Sequence, residues 1–522
     1  MSTSTMTAST MTSTLTMTAT SSGEGMEVFQ PGTAFASQKI RSTREYYTQP
    51  TMSRLLTARP SPLFGPPPQA PCGIQSGYEQ HAALGAPGGA TLIATSIGWS
   101  PTATPAQTTR ADLVSNRVGG FVAFLLSATL PIQLPGFRAI SIGFVLAVFL
   151  SPTIVPLVAK MVYGRALTKS ALLVVFTAPF VILATLSVDY SRSFSSTAAL
   201  TSAALFLGLV YQVFAVAWAC SVLGVGRVAL LYSAGAIFNA AVQPELWSTN
   251  PWKYAFGWSV PVLVIATFSR FPRSLQPVGI VLAALYALTH ESRNSAAALI
   301  LTFLATAATY IFVSRKTEKR RGLLILGVLA GGTLASVTLV TQLASSGALG
   351  EELQRVQISQ SSNGTAMAGR DEYLATFALM GHSPIGLGPG VVPSANDIMV
   401  GKVGLSVTGR ETSGSYVDGY MFLNAFKVHS VTGDLWVQFG IAGLLFAGVM
   451  MIALARASLL NHQSMGSGMT ALCAFLFFQG IWDMLFSPLD GNFRNVGFAT
   501  GVALFLIASD RDRRRDPGPK LP

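Results

Sequence analysis

The chain has 522 residues, of which 50% are hydrophobic and only 11% charged, and its mean hydropathy is +0.49. Soluble domains carry about 25% charged residues, so this composition excludes an ordinary soluble enzyme and fits a multi-spanning membrane protein. The net charge of +12 does not point to nucleic acid, because the basic residues fall in short segments between apolar runs, as the positive-inside rule requires.

Residues 1–112 are rich in Ser, Thr, Met and Pro ("MSTSTMTAST", "PSPLFGPPPQAP") and have no apolar run of signal-peptide length. Such a segment cannot bury enough apolar surface to fold, and it is predicted to be a disordered N-terminal tail without chemistry of its own. Cys72, Cys220 and Cys473 lie far apart, so neither a disulfide framework nor a CxxC metal site is available.

From residue 118 onward, apolar runs repeat between short breaks. They predict an all-α fold of about twelve transmembrane helices: 118–135, 139–162, 170–188, 198–222, 227–243, 254–269, 275–289, 296–313, 323–343, 435–455, 469–486 and 494–509. Residues 113–510 then form the membrane domain, and 511–522 a basic cytoplasmic tail. With the N-terminus inside, the inner short loops hold twelve basic residues, among them Arg165, Arg315, Lys319 and Arg456, against five in the outer ones (Arg138, Arg192, Lys253, Arg293, Arg494). That asymmetry sets the orientation. The long segment 344–434, between the ninth and tenth spans, becomes an external loop too long for a mere connector.

Within this loop, "GRDEYLATFALMGHSPIGLGPG" (369–390) opens with a short amphipathic helix. Leu374, Phe377 and Ala378 are spaced to cover one side of it, which suits lying on the membrane or capping the bundle. Gly386, Gly388 and Gly390 follow as a turn cluster where the backbone can approach another group closely, a candidate binding element. A nucleotide-binding loop is excluded, since no strand precedes it and no helical pattern follows.

The next stretch, "KVHSVTGDLWVQFGIAGLL" (427–445), carries one of only five histidines. In one continuous helix over 429–443, His429 and Gly440 share a face about 16 Å apart along the axis. Small residues at Gly440 and Gly443 would let a second helix pack closely and hold His429 still at the outer surface. Taken alone, His429 reads better as a solvated histidine at a helix start, and Arg293 and Arg370 as interfacial anchors. Together they form a set. Arginine grips phosphate oxygens bidentately and keeps its charge, while a histidine can take a proton from a hydroxyl near neutral pH. The combination suits a transferase with a diphosphate leaving group and an alcohol nucleophile.

The stretch resembles the O-antigen ligase and polysaccharide polymerase superfamily. That family's signature is a His followed by Asn, Ser or Gln, then nine residues, a Gly, two residues and Gly, Thr or Tyr. Here His429-Ser430 precedes nine residues, Gly440, two residues and Gly443. "GHSPIGLGPG" is similar to the family's Pro-x-x-Gly-x-Gly-Pro-Gly segment, with Arg370 matching the loop arginine. "ESRNSAAALIL" resembles its Ser-Arg segment at a helix start, which places Arg293, and Asn250-Pro251 resembles its Asn-Pro segment. The resemblance covers roughly 225–510. It implies a metal-independent, cofactor-free, inverting glycosyl transfer on the outer face of the cytoplasmic membrane. The donor would be a glycan on undecaprenyl diphosphate, and the acceptor a hydroxyl of another glycan or glycolipid. On the matching positions, His429 would be the base, and Arg293 and Arg370 the diphosphate ligands. Ligase and polymerase share all these features. The rival of a different class is a polysaccharide or small-molecule membrane transporter without catalysis, whose signature would be mid-span charges or paired broken helices.

Overall fold

A computed structural model describes residues 110–243, 247, 250–290, 292–313, scattered positions between 331 and 358, 372–407, 412–414, 416–423, 425–463 and 469–515. They are mostly helical and all belong to the unit Pro101–Pro522. The tail at 1–109 and most of the expected span at 323–343 lie outside the described residues.

In chain order, α1 is Arg110–Thr129, α2 Ile142–Phe149, α3 Ser151–Ala159, α4 Gly164–Val188, α5 Ser196–Leu223 and α6 Val225–Val242. Then come α7 (Pro251–Tyr254), α8 (Ser259–Phe268), α9 (Gln276–Thr289) and α10 (Arg293–Val313). The loop contributes α11 (Glu372–His382) and α12 (Ala395–Ser406), and the chain ends in α13 (Val431–Gln463), α14 (Thr470–Phe486) and α15 (Leu489–Arg515). Four two- to five-residue strands form two small antiparallel ribbons, β1 (Gln133–Leu134) with β2 (Phe137–Ser141) and β3 (Ser193–Phe194) with β4 (Val391–Val392).

Among the described residues, four helices are long and apolar enough to cross a membrane: α4, α5, α6 and the Val431–Asn461 part of α13. A fifth crossing would be the pair α2–α3, read from sequence as the single span 139–162 but bent by 78°. Leu150 caps both members of that pair. Pro152 and Pro156 follow, removing amide donors and crowding the preceding turn, so the ladder cannot run through. The other apolar helical stretches among the described residues run 10 to 17 residues: Arg117–Thr129, Ser259–Phe268, Gln276–Thr289, Asn294–Ala307 and Thr470–Phe486. Apolar runs overstate helix length here because they include the turns. The expected span 254–269, for example, contains a bend before α8, which is only ten residues long.

The core lies along α5, α13, α14 and α15. Phe206 of α5 sits between Phe439 and Phe446 of α13, with ring centroids 4.9 and 5.1 Å away. Where α15 crosses α5, a Cβ on Gly501 would fall 2.7 Å from the Val213 carbonyl, so a side chain there would force the helices apart.

One end of this bundle carries the loop. Strand β3, just after α4, pairs with β4 just after the glycine cluster. The Arg192 guanidinium donates to both carboxylate oxygens of Asp397 at 2.8 and 2.6 Å, with both side chains almost fully buried. Asp397 also closes a capping box with Ser394 at the head of α12. Burial pushes the Asp397 carboxyl up, but the Arg192 and Ser394 hydrogen bonds outweigh it and hold the group below its ordinary value. Tyr373 of α11 donates to the Leu485 carbonyl at the end of α14. The loop is thus clipped to the ends of α4 and α14 and the start of α5.

Helix α11 forms where the amphipathic stretch predicts it, but it packs by a different face. Glu372, Ala375, Thr376 and Leu379 are buried, whereas Phe377 is 61% exposed and Leu374 and Ala378 are half-buried. Gly404 of α12 abuts the Leu374 carbonyl and Ala375, and that close contact selects the small-residue face.

Candidate active site

His429 lies outside the helix that the sequence assigned to it. Helix α13 begins at Val431, and His429 takes φ of +52°, a left-handed conformation that non-glycine residues adopt rarely. Its neighbours impose this. The Val428 amide donates to Asp434 Oδ1 at 2.9 Å, and Asp434 Oδ2 also accepts from the Leu489 amide at the head of α15. On the other side, Ser430 Oγ accepts from the Gly433 amide and donates to the Met484 carbonyl. With Val428 and Ser430 both pinned and buried, the residue between them has little freedom to relax.

The half-buried imidazole meets a cluster of polar and aromatic groups. Its Nδ1 lies 3.1 Å from the Tyr416 hydroxyl, which donates to Glu372 Oε1 at 2.9 Å. A hydroxyl has one proton. With that proton directed to Glu372, the tyrosine oxygen accepts from His429, which assigns the ring proton of the neutral imidazole to Nδ1. That is the tautomer a general base requires.

Tyr416 and Tyr420 stack on one another and both rings face His429, with centroids 5.7 and 5.5 Å away. They come together on a turn of π-helix, Val417–Met421, a local distortion frequent at functional sites. Burial, with the Asp490 and Asp434 carboxylates nearby, raises the Tyr420 phenol above its ordinary value, so it remains a hydroxyl. Lys427 lies 4.6 Å over the Tyr420 ring and pairs with Asp490 at 3.0 Å. Sequence reasoning missed Glu372, Tyr416, Tyr420, Lys427 and Asp490. The available signal was the pair of tyrosines four residues apart, shortly before a rare histidine.

Gly440 and Gly443 also act differently from the expected packing face. Gly440 has φ of 63° and ψ of −146°, which no helix contains, and α13 breaks there. Its position is set by the glycine turn: a Cβ on Gly440 would lie 2.2 Å from the Ile385 carbonyl. The Leu387 and Gly388 amides donate to the Val437 carbonyl at 2.8 and 3.0 Å, close to the break. Gly443 then abuts the Leu435 carbonyl of its own helix at 2.0 Å from an added Cβ, so no side chain fits on the inside of the bend. The two glycines therefore make a bent helix and a seat for a loop. They do not form a flat face for a second helix.

Gly386, Gly388 and Gly390 are all buried. Gly386 approaches the Trp436 carbonyl, Gly388 the backbone of Ile182 in α4, and Gly390 the Ser195 carbonyl at the head of α5. The close approach predicted for this turn is thus made to the protein's own helices. Of the two arginines, Arg293 is the first residue of α10, at a helix start as expected, but its side chain lies outside the described residues. Arg370 lies outside them altogether, two positions before Glu372. Among models of known families none matches the chain, and no curated protein matches it either.

Proposed function

We propose that the chain is a membrane glycosyltransferase that moves or joins a glycan from an undecaprenyl-diphosphate carrier onto a hydroxyl acceptor, as an O-antigen ligase or a polysaccharide polymerase would. It acts at the outer face of the cytoplasmic membrane, in a bundle of about twelve spans whose long loop, 344–434, faces outward. His429 Nε2 accepts the acceptor's hydroxyl proton as the oxygen attacks the anomeric carbon. The bond from that carbon to the carrier's diphosphate breaks, and Arg293 and Arg370 neutralise the departing charge.

The observation that carries this reading is the Glu372–Tyr416–His429 chain of hydrogen bonds, which fixes the basic tautomer on a residue whose backbone is held from both sides. The carrier's lipid keeps the scissile bond near the membrane surface, so a base at the head of a membrane helix is well sited. The test uses purified protein in vesicles with a lipid-diphosphate glycan donor and a glycan acceptor, reading release of the lipid diphosphate. His429→Ala should lower the rate about 10²–10⁴-fold at unchanged protein level. Equal rates for the two proteins would overturn the proposal.

The transporter reading draws on the bent pair α2–α3 and the break at Gly440, since broken helices frame many transport sites. The same vesicles separate the two: uptake of a glycan without release of lipid diphosphate would favour transport.

A further inference from the structure

A second charged feature lies at the far end of the helices that frame His429. Leu489, whose amide binds Asp434 beside the histidine, and Arg511 are 22 positions apart on α15, roughly 33 Å of helix. That distance is close to the ~30 Å thickness of a bilayer's hydrocarbon core. At that far end a cleft of about 250 Å³ opens between α13, α15 and Val162 in the turn between α3 and α4. Arg456, Arg511, Arg514 and Arg515 line it, over a floor that includes the buried side chains of Leu460 and Ile507. All four arginines are exposed. The acidic group in the lining, Asp510, is paired with Arg514 at 2.9 Å. Four guanidiniums against one carboxylate leave a strong excess of bidentate anion donors at one spot.

We propose that this cleft binds the phosphodiester headgroup of an anionic phospholipid, in the leaflet opposite to His429. Size argues for a headgroup: the cleft falls below the roughly 300–1,000 Å³ of pockets that enclose a whole small-molecule ligand. The apolar floor argues for a lipid over a soluble anion. On the same helix, α13, the exposed side chains of Leu459 (66% exposed) and Ile452 (55% exposed) offer apolar surface for acyl chains. Basic pockets between membrane helices hold lipid phosphates by this combination.

The neighbouring Arg513 gives the control. It is equally exposed and adds the same charge to the same helix end, yet it does not line the cleft. Binding of fluorescent phosphatidylglycerol and phosphatidylcholine to the full-length protein in neutral detergent reads the site directly. The anionic lipid should bind tighter than the zwitterionic one. Arg511→Gln and Arg514→Gln should each weaken it about fivefold, whereas Arg513→Gln should change it less than twofold. Millimolar inorganic phosphate should not displace it. Equal binding of the two lipids, or equal losses for Arg513→Gln and Arg514→Gln, would overturn a built site in favour of diffuse charge. Displacement by phosphate would overturn the lipid in favour of a soluble anion. Should a glutamine at 511 or 514 unfold the protein, Arg515→Gln, at the last residue of α15, reads the same cleft from an exposed position and carries the same expectation.

Discussion

At the scale of single residues, the candidate base depends on a neighbour that does no chemistry itself. Tyr416 sets which nitrogen of His429 carries the proton by donating its own hydroxyl hydrogen bond to Glu372. Tyr416→Phe keeps the ring that stacks on Tyr420 and removes only the hydroxyl. The imidazole then loses the acceptor that fixes its tautomer, while the packing of the pocket stays in place. We predict a fall in kcat of about tenfold, the effect of losing one hydrogen bond worth about 1 kcal/mol in the transition state, with KM and thermal stability nearly unchanged. A pH–rate profile sharpens the test. If Tyr416 only fills space, the phenylalanine variant should keep both the rate and the profile of the parent.

At the scale of elements, helix positions were legible in the sequence and helix continuity was not. Apolar periodicity marks α4, α5, α6, α13 and α11 at nearly their observed places. Their interruptions follow from tertiary contacts that no local pattern contains. Pro152 could have warned of the bend between α2 and α3, yet Pro179 lies inside α4 without breaking it. Gly440 reads as a small residue on a helix face, but its role depends on a turn more than fifty residues earlier in the chain. His429 and the glycines could be picked out as special, whereas the groups that surround the histidine come from four separate segments. Glu372, Tyr416, Lys427 and Asp490 share no motif, and only the fold brings them together. Gly440→Ala tests the element-level account. The substituted residue would be forced into a region that is nearly glycine-only, costing about 1–3 kcal/mol before the clash with the Ile385 carbonyl. We expect a clear drop in melting temperature and displacement of the 386–390 turn, visible as faster amide exchange at Leu387 and Gly388. Gly448→Ala, in the same helix with nothing within 4 Å of an added Cβ, should be tolerated. Equal effects at the two glycines would contradict the seat described for the turn.

At the scale of the whole molecule, the loop and the bundle make one object with two different ends. One end gathers β3–β4, the Arg192–Asp397 pair, the Tyr373 and Ser430 contacts to the end of α14, and His429. The other carries Arg456 and the arginines of α15. A membrane protein with its basic residues concentrated at one end orients that end inward, which would turn His429 outward. The prediction that follows concerns Lys319 and Gly401. Lys319 stands in the most basic of the short segments, with Arg315, Lys316, Arg320 and Arg321 around it. Gly401 belongs to α12, whose head is fixed by the buried ion pair to the turn after α4. An odd number of crossings must separate them if 323–343 spans the bilayer. Reporter fusions active only in the cytoplasm or only outside it should therefore report Lys319 as internal and Gly401 as external. A cysteine introduced at Gly414 should react with an impermeant thiol reagent from outside the cell, while one at Arg513 should not. Failure of the Gly414 cysteine to react would remove the outward-facing site, because a carrier on the outer face and the histidine would then have to meet across the membrane; reaction at Arg513 as well would contradict the two-ended orientation.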